Sequence, residues 1–193
     1  MIPEALVLSF IIGLIRGGKV ANLAAISLRK AWIIIACGVL LVAIWVAKAQ
    51  GLAFASSLAR YSHLLAYACV LAALCYNLNM RGVWLVVEGT GLNFLVTLAN
   101  GGYMPISLAA AKASGMNELA KMLVSNNNFI RHSLMSSHTR LNLLADIIPA
   151  PRPPFPFPGV MSVGDILISI GLFVVVQYAM FGRPLRKPFS GQE

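Results

Sequence analysis

The chain has 193 residues, of which 59% are hydrophobic and only 11% charged, against roughly 25% charged in a soluble domain. Its mean hydropathy is +0.80. That balance excludes a soluble globular domain, an intrinsically disordered chain and a small disulfide-framed domain, and leaves an all-α integral membrane protein if the apolar residues fall into long runs. They do. The net charge of +9 comes from fifteen Lys and Arg against six Asp and Glu. These bases sit in turns between apolar runs, with no aromatic-interleaved basic patch, so nucleic acid is not an expected partner. Cys37, Cys69 and Cys75 all lie inside apolar runs and read as small buried hydrophobes, with neither disulfide nor metal spacing.

The first apolar run covers residues 3–15. Pro3 suits a first helical position and Glu4 the positive end of the helix dipole. Glu4 precedes the run and Arg16-Gly17-Gly18-Lys19 follows it, the reverse of a signal peptide, so a retained transmembrane helix is predicted. Residues 19–30 place Val20, Leu23, Ala24, Ser27 and Leu28 on one face, which fits either a short interfacial helix or a basic loop. The second run, 31–47, has Trp32 and Trp45 near its ends. Residues 48–60 form a polar-leaning connection to the third run, 61–78, and the fourth covers 82–99. Each of these three runs spans about 25 Å at 1.5 Å per residue, just enough for a hydrocarbon core of ~30 Å with interfacial help.

Residues 100–161 form a long segment that is not an ordinary linker. Pro105–Ser114 and Met116–Ser125 read as short helices broken at Gly115, and Thr139–Ile148 as a third, capped by Thr139. Residues 149–158, PAPRPPFPFP, read as a stiff polyproline strap that packs its Phe residues. The fifth run, 164–181, starts at Ser162-Val-Gly-Asp165, with Ser162 at the N-cap and Asp165 at N3. Five crossings put Arg16, Lys19, Arg29, Lys30, Arg81, Arg183, Arg186 and Lys187 on one side and only Lys48 and Arg60 in the short loop opposite. That bias predicts a bacterial cytoplasmic-membrane protein with its N-terminus outside and its C-terminus in the cytoplasm.

Polar residues inside apolar runs carry the functional signal, because each is costly in lipid if unpaired. The fourth run holds Glu88, Thr90, Asn93, Thr97 and Asn100. At about 100° per residue the last four share a sector about 80° wide. Gly89, Gly91 and Thr97 allow a neighbouring helix to approach. The stripe is either a hydrogen-bonded helix seam or a polar groove for a headgroup, ion or small solute. Glu88 points away from it, and is either a proton or cation site or a partly wet carboxylate. His63 and Tyr67, at i and i+4, read as structural or interfacial, and Asn77 as a cap or a link to the fourth helix. In the long segment, His132, His138, Asp146 and Glu118 offer acid–base or metal chemistry only weakly. No metalloprotease, nucleophile-elbow or phosphate-loop motif accompanies them, so neither catalysis nor a metal or other cofactor is expected.

One combination goes beyond composition. Arg16-Gly-Gly-Lys19, Gly91-Leu-Asn93, Asn100-Gly-Gly-Tyr-Met-Pro105, His138-Thr-Arg-Leu141, Leu144-Ala-Asp-Ile-Ile-Pro149 and Ser162-Val-Gly-Asp165 follow one another in this order. Together they resemble a family of small bacterial multi-pass membrane proteins known only as a domain of unknown function. The resemblance covers nearly the whole chain, which departs from it in the polar stretch from Ser125 to Ser137 and in a lengthened Pro/Phe run. It implies fold and topology and carries no activity.

The same turn directs attention to Gly101, Gly102, Met104 and Pro105. These residues, His138 and Asp146, and the Asp165 cap are expected to meet on the outer face around a small polar pocket. The leading functional expectation is a non-catalytic accessory subunit, packed in the lipid bilayer against a larger complex or a second copy. The alternative is a transporter or binding protein for a small solute, ion or lipid headgroup. A lipid-modifying enzyme using His138 and Asp146 comes third.

Overall fold

Apolar runs become helices here, and glycine, proline and polar side chains decide where they stop. The computed structural model describes residues 2–126, 128–129, 132–153 and 158–186. In chain order the bundle contributes α1 (Ile2–Ile15), α2 (Trp32–Ala49), α3 (Ala53–Arg60), α4 (Ser62–Cys75) and α5 (Val83–Ala99). Residues 100–162 then supply β1 (Met104–Ile106), α6 (Leu108–Ala113), α7 (Asn117–Asn126), β2 (Asn128–Phe129), β3 (His132–Leu134), β4 (Ile148–Ala150) and β5 (Gly159–Met161), before α8 (Val163–Met180) closes the fold. The structure is mostly helical. Among the described residues, α2 and α8 are long and apolar enough to cross a membrane, and α1, α4 and α5 are shorter apolar helices.

Helix α8 is the centre of the bundle. It packs antiparallel to α5 and parallel to α1. Along the α5 seam a Cβ on Gly171 would lie 2.7 Å from the carbonyl oxygen of Gly82, and one on Gly89 would run into the carbonyl oxygen of Gly164. Two backbones this close leave no room for side chains, which is how small residues let helices pack. Gly91 lies off this seam, with open space where a Cβ would go, so it is not one of the contact glycines anticipated from sequence. On the other flank a Cβ on Gly13 would meet the sulfur of Met180. There Ser9 Oγ donates to the Phe173 carbonyl at 3.0 Å, and Gln177 Nε2 donates back to the Ser9 carbonyl at 2.6 Å. Leu74, Met80, Val83, Val86, Ile168 and Val175 fill the core between α4, α5 and α8.

Asn77, 1% exposed, ties the far end of this bundle. Its amide accepts from the Arg29 N–H and donates to the Arg29 carbonyl, both at 2.9 Å. The chain before α2 is thus held like a strand without being one. Only Val20–Ala25 is helical there, a single 3₁₀ stretch with no buried residue, so a full interfacial helix over 19–30 does not form. The third run also differs from its predicted bounds: α4 is shorter, and α3 forms separately in the expected polar connection.

Residues 100–162 are not purely helical, which corrects the all-α expectation. β1 pairs in parallel with β3, β3 pairs antiparallel with β2, and β4 pairs antiparallel with β5. Pro105 belongs to β1, not to the start of a helix. It has no N–H to give, but its carbonyl accepts from the Asp146 N–H at 3.0 Å. The helix starts later, at Leu108, capped by the Ser107 side chain. The predicted helix over Thr139–Ile148 reduces to the 3₁₀ turn Asn142–Leu144 and strand β4. Thr139 Oγ1 lies 2.8 Å from both the Ser136 carbonyl and Asn142 Oδ1, a local closure that competes with helix. Leu141 then takes a left-handed φ of 57°, and the backbone at Asp146 is diverted to β1. Of the expected proline strap, residues 149–150 lie in β4, while Phe155 and Phe157 lie outside the described residues.

The glycine contact makes a direct prediction. Gly164→Ala should lower stability by about 1–3 kcal/mol, the usual cost of overpacking, seen as a lower Tm in thermal unfolding. Gly91→Ala should leave Tm unchanged or raise it.

Candidate functional site

Where α5 ends and α8 begins, the helices splay around a cavity of about 430 Å³. Helix α5 sends Asn93 and Thr97 into its wall, α4 sends His63 and Tyr67, and α8 sends Asp165. His132 of β3 and Asp146 complete the polar side. The apolar side comes from Ile2, Met104, Ile106, Met116, Leu119 and Val160. Behind that wall, Ile106, Ala111, Ala120 and Leu123 form a small core of their own. Val96, Met104 and Ala145 join this layer to the bundle.

The α8 N-terminus is built around a capping box. Ser162 Oγ accepts the Asp165 N–H at 3.0 Å, and Asp165 Oδ2 accepts the Ser162 N–H at 3.1 Å. Asn93 locks the box to α5: its Nδ2 donates to Asp165 Oδ1 at 2.9 Å, and its Oδ1 accepts from Ser162 Oγ at 2.8 Å. A carboxylate at this position also sits favourably in the helix dipole. Asp146 is held differently. Its backbone bridges to β1 through the Pro105 carbonyl and the Ser107 N–H, the latter at 2.9 Å. Its side chain is buried, with Oδ2 3.4 Å from His132 Nδ1.

The polar stripe on α5 divides its work. Thr90 bonds back to the Val86 carbonyl at 2.6 Å and belongs to the seam. Asn93 and Thr97 face the cavity. Asn100 leaves it and clamps residue 140 instead, donating to the Arg140 carbonyl at 2.9 Å and accepting from the Arg140 N–H at 2.8 Å. Thr97 stands apart: it is 2% exposed, and its Oγ1 has no hydrogen-bond partner. Burying a hydroxyl unpaired costs about 1–3 kcal/mol, so the cavity wall carries a polar group without an internal partner.

Of the other residues singled out from sequence, Gly101 and Gly102 adopt left-handed φ values of 64° and 95° and turn the chain out of α5. Met104 lines the cavity, whereas Pro105 does not and serves through its carbonyl, which accepts the Asp146 N–H. Glu88 is exposed on α5 and outside the cavity. His138 is exposed, with its N–H on Ser136 Oγ at 3.2 Å, so it is not joined to Asp146. The histidine that meets Asp146 is His132, twenty-eight residues after Met104 in sequence and its direct neighbour across the β1–β3 pair. His63 and Tyr67, read from sequence as structural, line the same space. Their i, i+4 spacing on an apolar helix was the available signal. Nothing in the sequence marked Met116, Leu119 or Val160 as their opposite wall. No group of three or more His, Cys, Asp or Glu among the described residues could hold a metal ion.

A family model described as a family of unknown function, DUF5317, matches residues 25–177. The chain belongs to this family. The matched span includes every residue lining the cavity except Ile2 and Pro3. No curated protein and no solved structure matches the chain.

Ser162 and Asn93 act on one network, so their losses should not add. Ser162→Ala should cost about 1 kcal/mol as a lost helix cap. Thermal unfolding of Ser162→Ala, Asn93→Ala and the double variant should give a coupling of at least about 0.5 kcal/mol; simple additivity would mean the two residues stabilise the fold separately.

Proposed function

We propose that the chain is a multi-pass membrane protein that binds a small polar ligand, without chemistry of its own, in the cavity at the N-terminal end of α8. The observation that carries the binding reading is the buried, partnerless Thr97 hydroxyl in the wall of a cavity of about 430 Å³. A volume of several hundred Å³ with a few convergent polar groups fits a small-molecule site, and a ligand would supply the missing hydrogen bond. Asn93 bonded to Asp165 fixes part of the polar wall before any ligand arrives, and His132 stands beside Asp146 in the same wall.

The membrane reading draws on the bundle's outer surface. Val39 is 66% exposed, Trp45 70% and Ile15 80%, and lipid would cover them. Helices α1 and α4, of 14 residues, reach about 21 Å, so five crossings of a ~30 Å core would need help from turns and interfacial residues. Arg16, Lys19, Arg29, Lys30, Arg81, Arg183 and Arg186 gather at the end opposite the cavity. The positive-inside rule makes that end cytoplasmic, so the cavity faces outward from a bacterial cytoplasmic membrane.

An accessory subunit is the second reading, favoured by α2. That helix fully buries only Cys37 and leaves Trp32, Ile35, Val39, Leu40, Val42 and Trp45 half or more exposed, where a partner's helix or a second copy could lie as well as lipid.

Two measurements test these readings. With Cys37, Cys69 and Cys75 replaced by alanine, a cysteine at Leu143→Cys should react with a membrane-impermeant maleimide on intact cells, and one at Arg183→Cys only after permeabilisation. The opposite pattern would reverse the orientation, and recovery of the chain in the soluble fraction would remove the membrane reading. Gently purified full-length chain should also release a bound small molecule on denaturation, identified by mass spectrometry. Thr97→Leu, which fills the cavity, should release none. Wild-type chain that carries nothing would count against the site.

A further inference from the structure

Resting on the membrane reading above, we infer that a groove between the C-terminal ends of α1 and α8 holds the phosphate of an anionic phospholipid. Its floor is one strip of α8. Phe173, Val174, Gln177, Tyr178 and Phe181 recur at helical spacing and line a cavity of about 170 Å³. Arg16, just after α1, and Arg183, just after α8, close the end of that strip. The rings hold these bases in place. The Arg16 guanidinium lies 5.1 Å from the Phe181 ring centroid. That of Arg183 lies 5.8 Å from the same ring and 5.9 Å from Tyr178. Arg81, arriving from just before α5, stacks 5.0 Å from the Tyr178 centroid. Three guanidinium groups therefore share two neighbouring rings.

Three like charges gathered this way repel one another, and the described ion pairs do not offset them: those join Lys121 to Glu118 and His132 to Asp146. Arg16 gives a hydrogen bond to a neutral partner, Gln177 Oε1, at 3.2 Å. Gln177 is itself fixed by its bonds to the Ser9 carbonyl and hydroxyl, so Arg16 is aimed by the fold. Arg81 keeps a buried Nε with no hydrogen-bond partner. Phosphate suits such a set, since a guanidinium fork bonds two of its oxygens at once. The apolar surround makes that phosphate a lipid's. Phe173 and Val174 continue the groove along α8 away from the bases. Leu14 and Ile15, beside Arg16, are 45% and 80% exposed. The cavity is smaller than the several hundred Å³ of a site for a whole small molecule, which suits a headgroup whose chains stay outside in the bilayer. A free inorganic phosphate would leave the apolar strip uncovered. In the membrane reading this end is cytoplasmic, where basic pockets between helices take anionic headgroups.

The test places the full-length chain in nanodiscs of equal phosphatidylglycerol and phosphatidylcholine, and counts the lipids that stay bound by native mass spectrometry. Phosphatidylcholine carries the same phosphate with its charge cancelled by choline. Phosphatidylglycerol should be retained about fivefold or more over phosphatidylcholine, the effect of one base near an anionic lipid surface. Arg16→Gln with Arg183→Gln, at two exposed side chains, should fold with a Tm near wild type and lose that preference. Arg183→Lys, which keeps the charge without the fork, should lower it part-way. Lys112→Gln with Lys121→Gln removes the same charge at exposed positions elsewhere and should leave it intact. Equal retention of the two lipids overturns the site. A preference undiminished in either arginine variant, or lost equally in the lysine pair, does the same. Inorganic phosphate that raises the Tm of the lipid-free chain in detergent as much as phosphatidylglycerol does would overturn the lipid and assign a free anion. A chain that does not enter nanodiscs overturns the membrane reading itself, which keeps the two failures apart.

Discussion

The contact of α5 with α8 at Gly89 and Gly164 sets the terms for everything at the cavity end. Because a Cβ on Gly89 would strike the Gly164 carbonyl, the two backbones are held closer than any side-chain-mediated packing allows. One turn further along α5, Asn93 then lies against the first turn of α8. Its amide has only one way to be satisfied in that space. It donates to Asp165 and accepts from Ser162, and so converts a local capping box into a joint between two helices. If the helices separated by even an ångström, those bonds would lengthen, the cap would lose its outside support, and Asp165 would no longer be aimed into the cavity. The polar geometry of the site is a consequence of two missing side chains.

Past that joint the helices diverge, and the divergence makes the cavity. Thr97, one turn beyond Asn93, finds no partner on α8 because α8 has already begun. Chain from elsewhere fills the gap: β1, β3 and the Asp146 backbone, tied together by short ladders in place of a continuous core. Three-residue strands are weak alone. Here they are braced by the small apolar cluster around Ile106 and Leu123 on one side and by Asn100 clamping residue 140 on the other. A layer held at its margins can enclose a space without filling it.

Those differences explain how far the sequence could be read. The Ser162–Asp165 box was legible because capping is local and its spacing is fixed by helix geometry. The Thr90, Asn93, Thr97 and Asn100 stripe was legible because a 3.6-residue period puts the four on one face, although the period could not say which would end in a seam, a cavity or a clamp. The Thr139–Ile148 stretch misled for the same reason: Leu141, Leu144, Ala145 and Ile148 have helical spacing, but the Thr139 hydroxyl closes a turn on Ser136 and Asn142 first. The meeting of His132 with Asp146 was not legible at all. It depends on β1 pairing in parallel with β3, and strands so short carry no alternation from which a register could be inferred.

Charge is the remaining organising feature, and helix polarity alone does not account for it. Asp165 in the first turn of α8, and Arg16 and Arg183 just beyond the C-termini of α1 and α8, all agree with the helix dipole. Lys30 just before α2 and Arg81 just before α5 oppose it, each a base at a positive helix end. Arg81 is held there by stacking 5.0 Å from the Tyr178 ring centroid, and Lys30 by lying 5.9 Å from that of Tyr76. What these four bases share is an end of the bundle, whichever way their helices run. A dipole acts on each helix separately and would have alternated the charges between the two ends. Helix polarity therefore does not account for where these four bases lie, while both aspartates line the cavity at the other end.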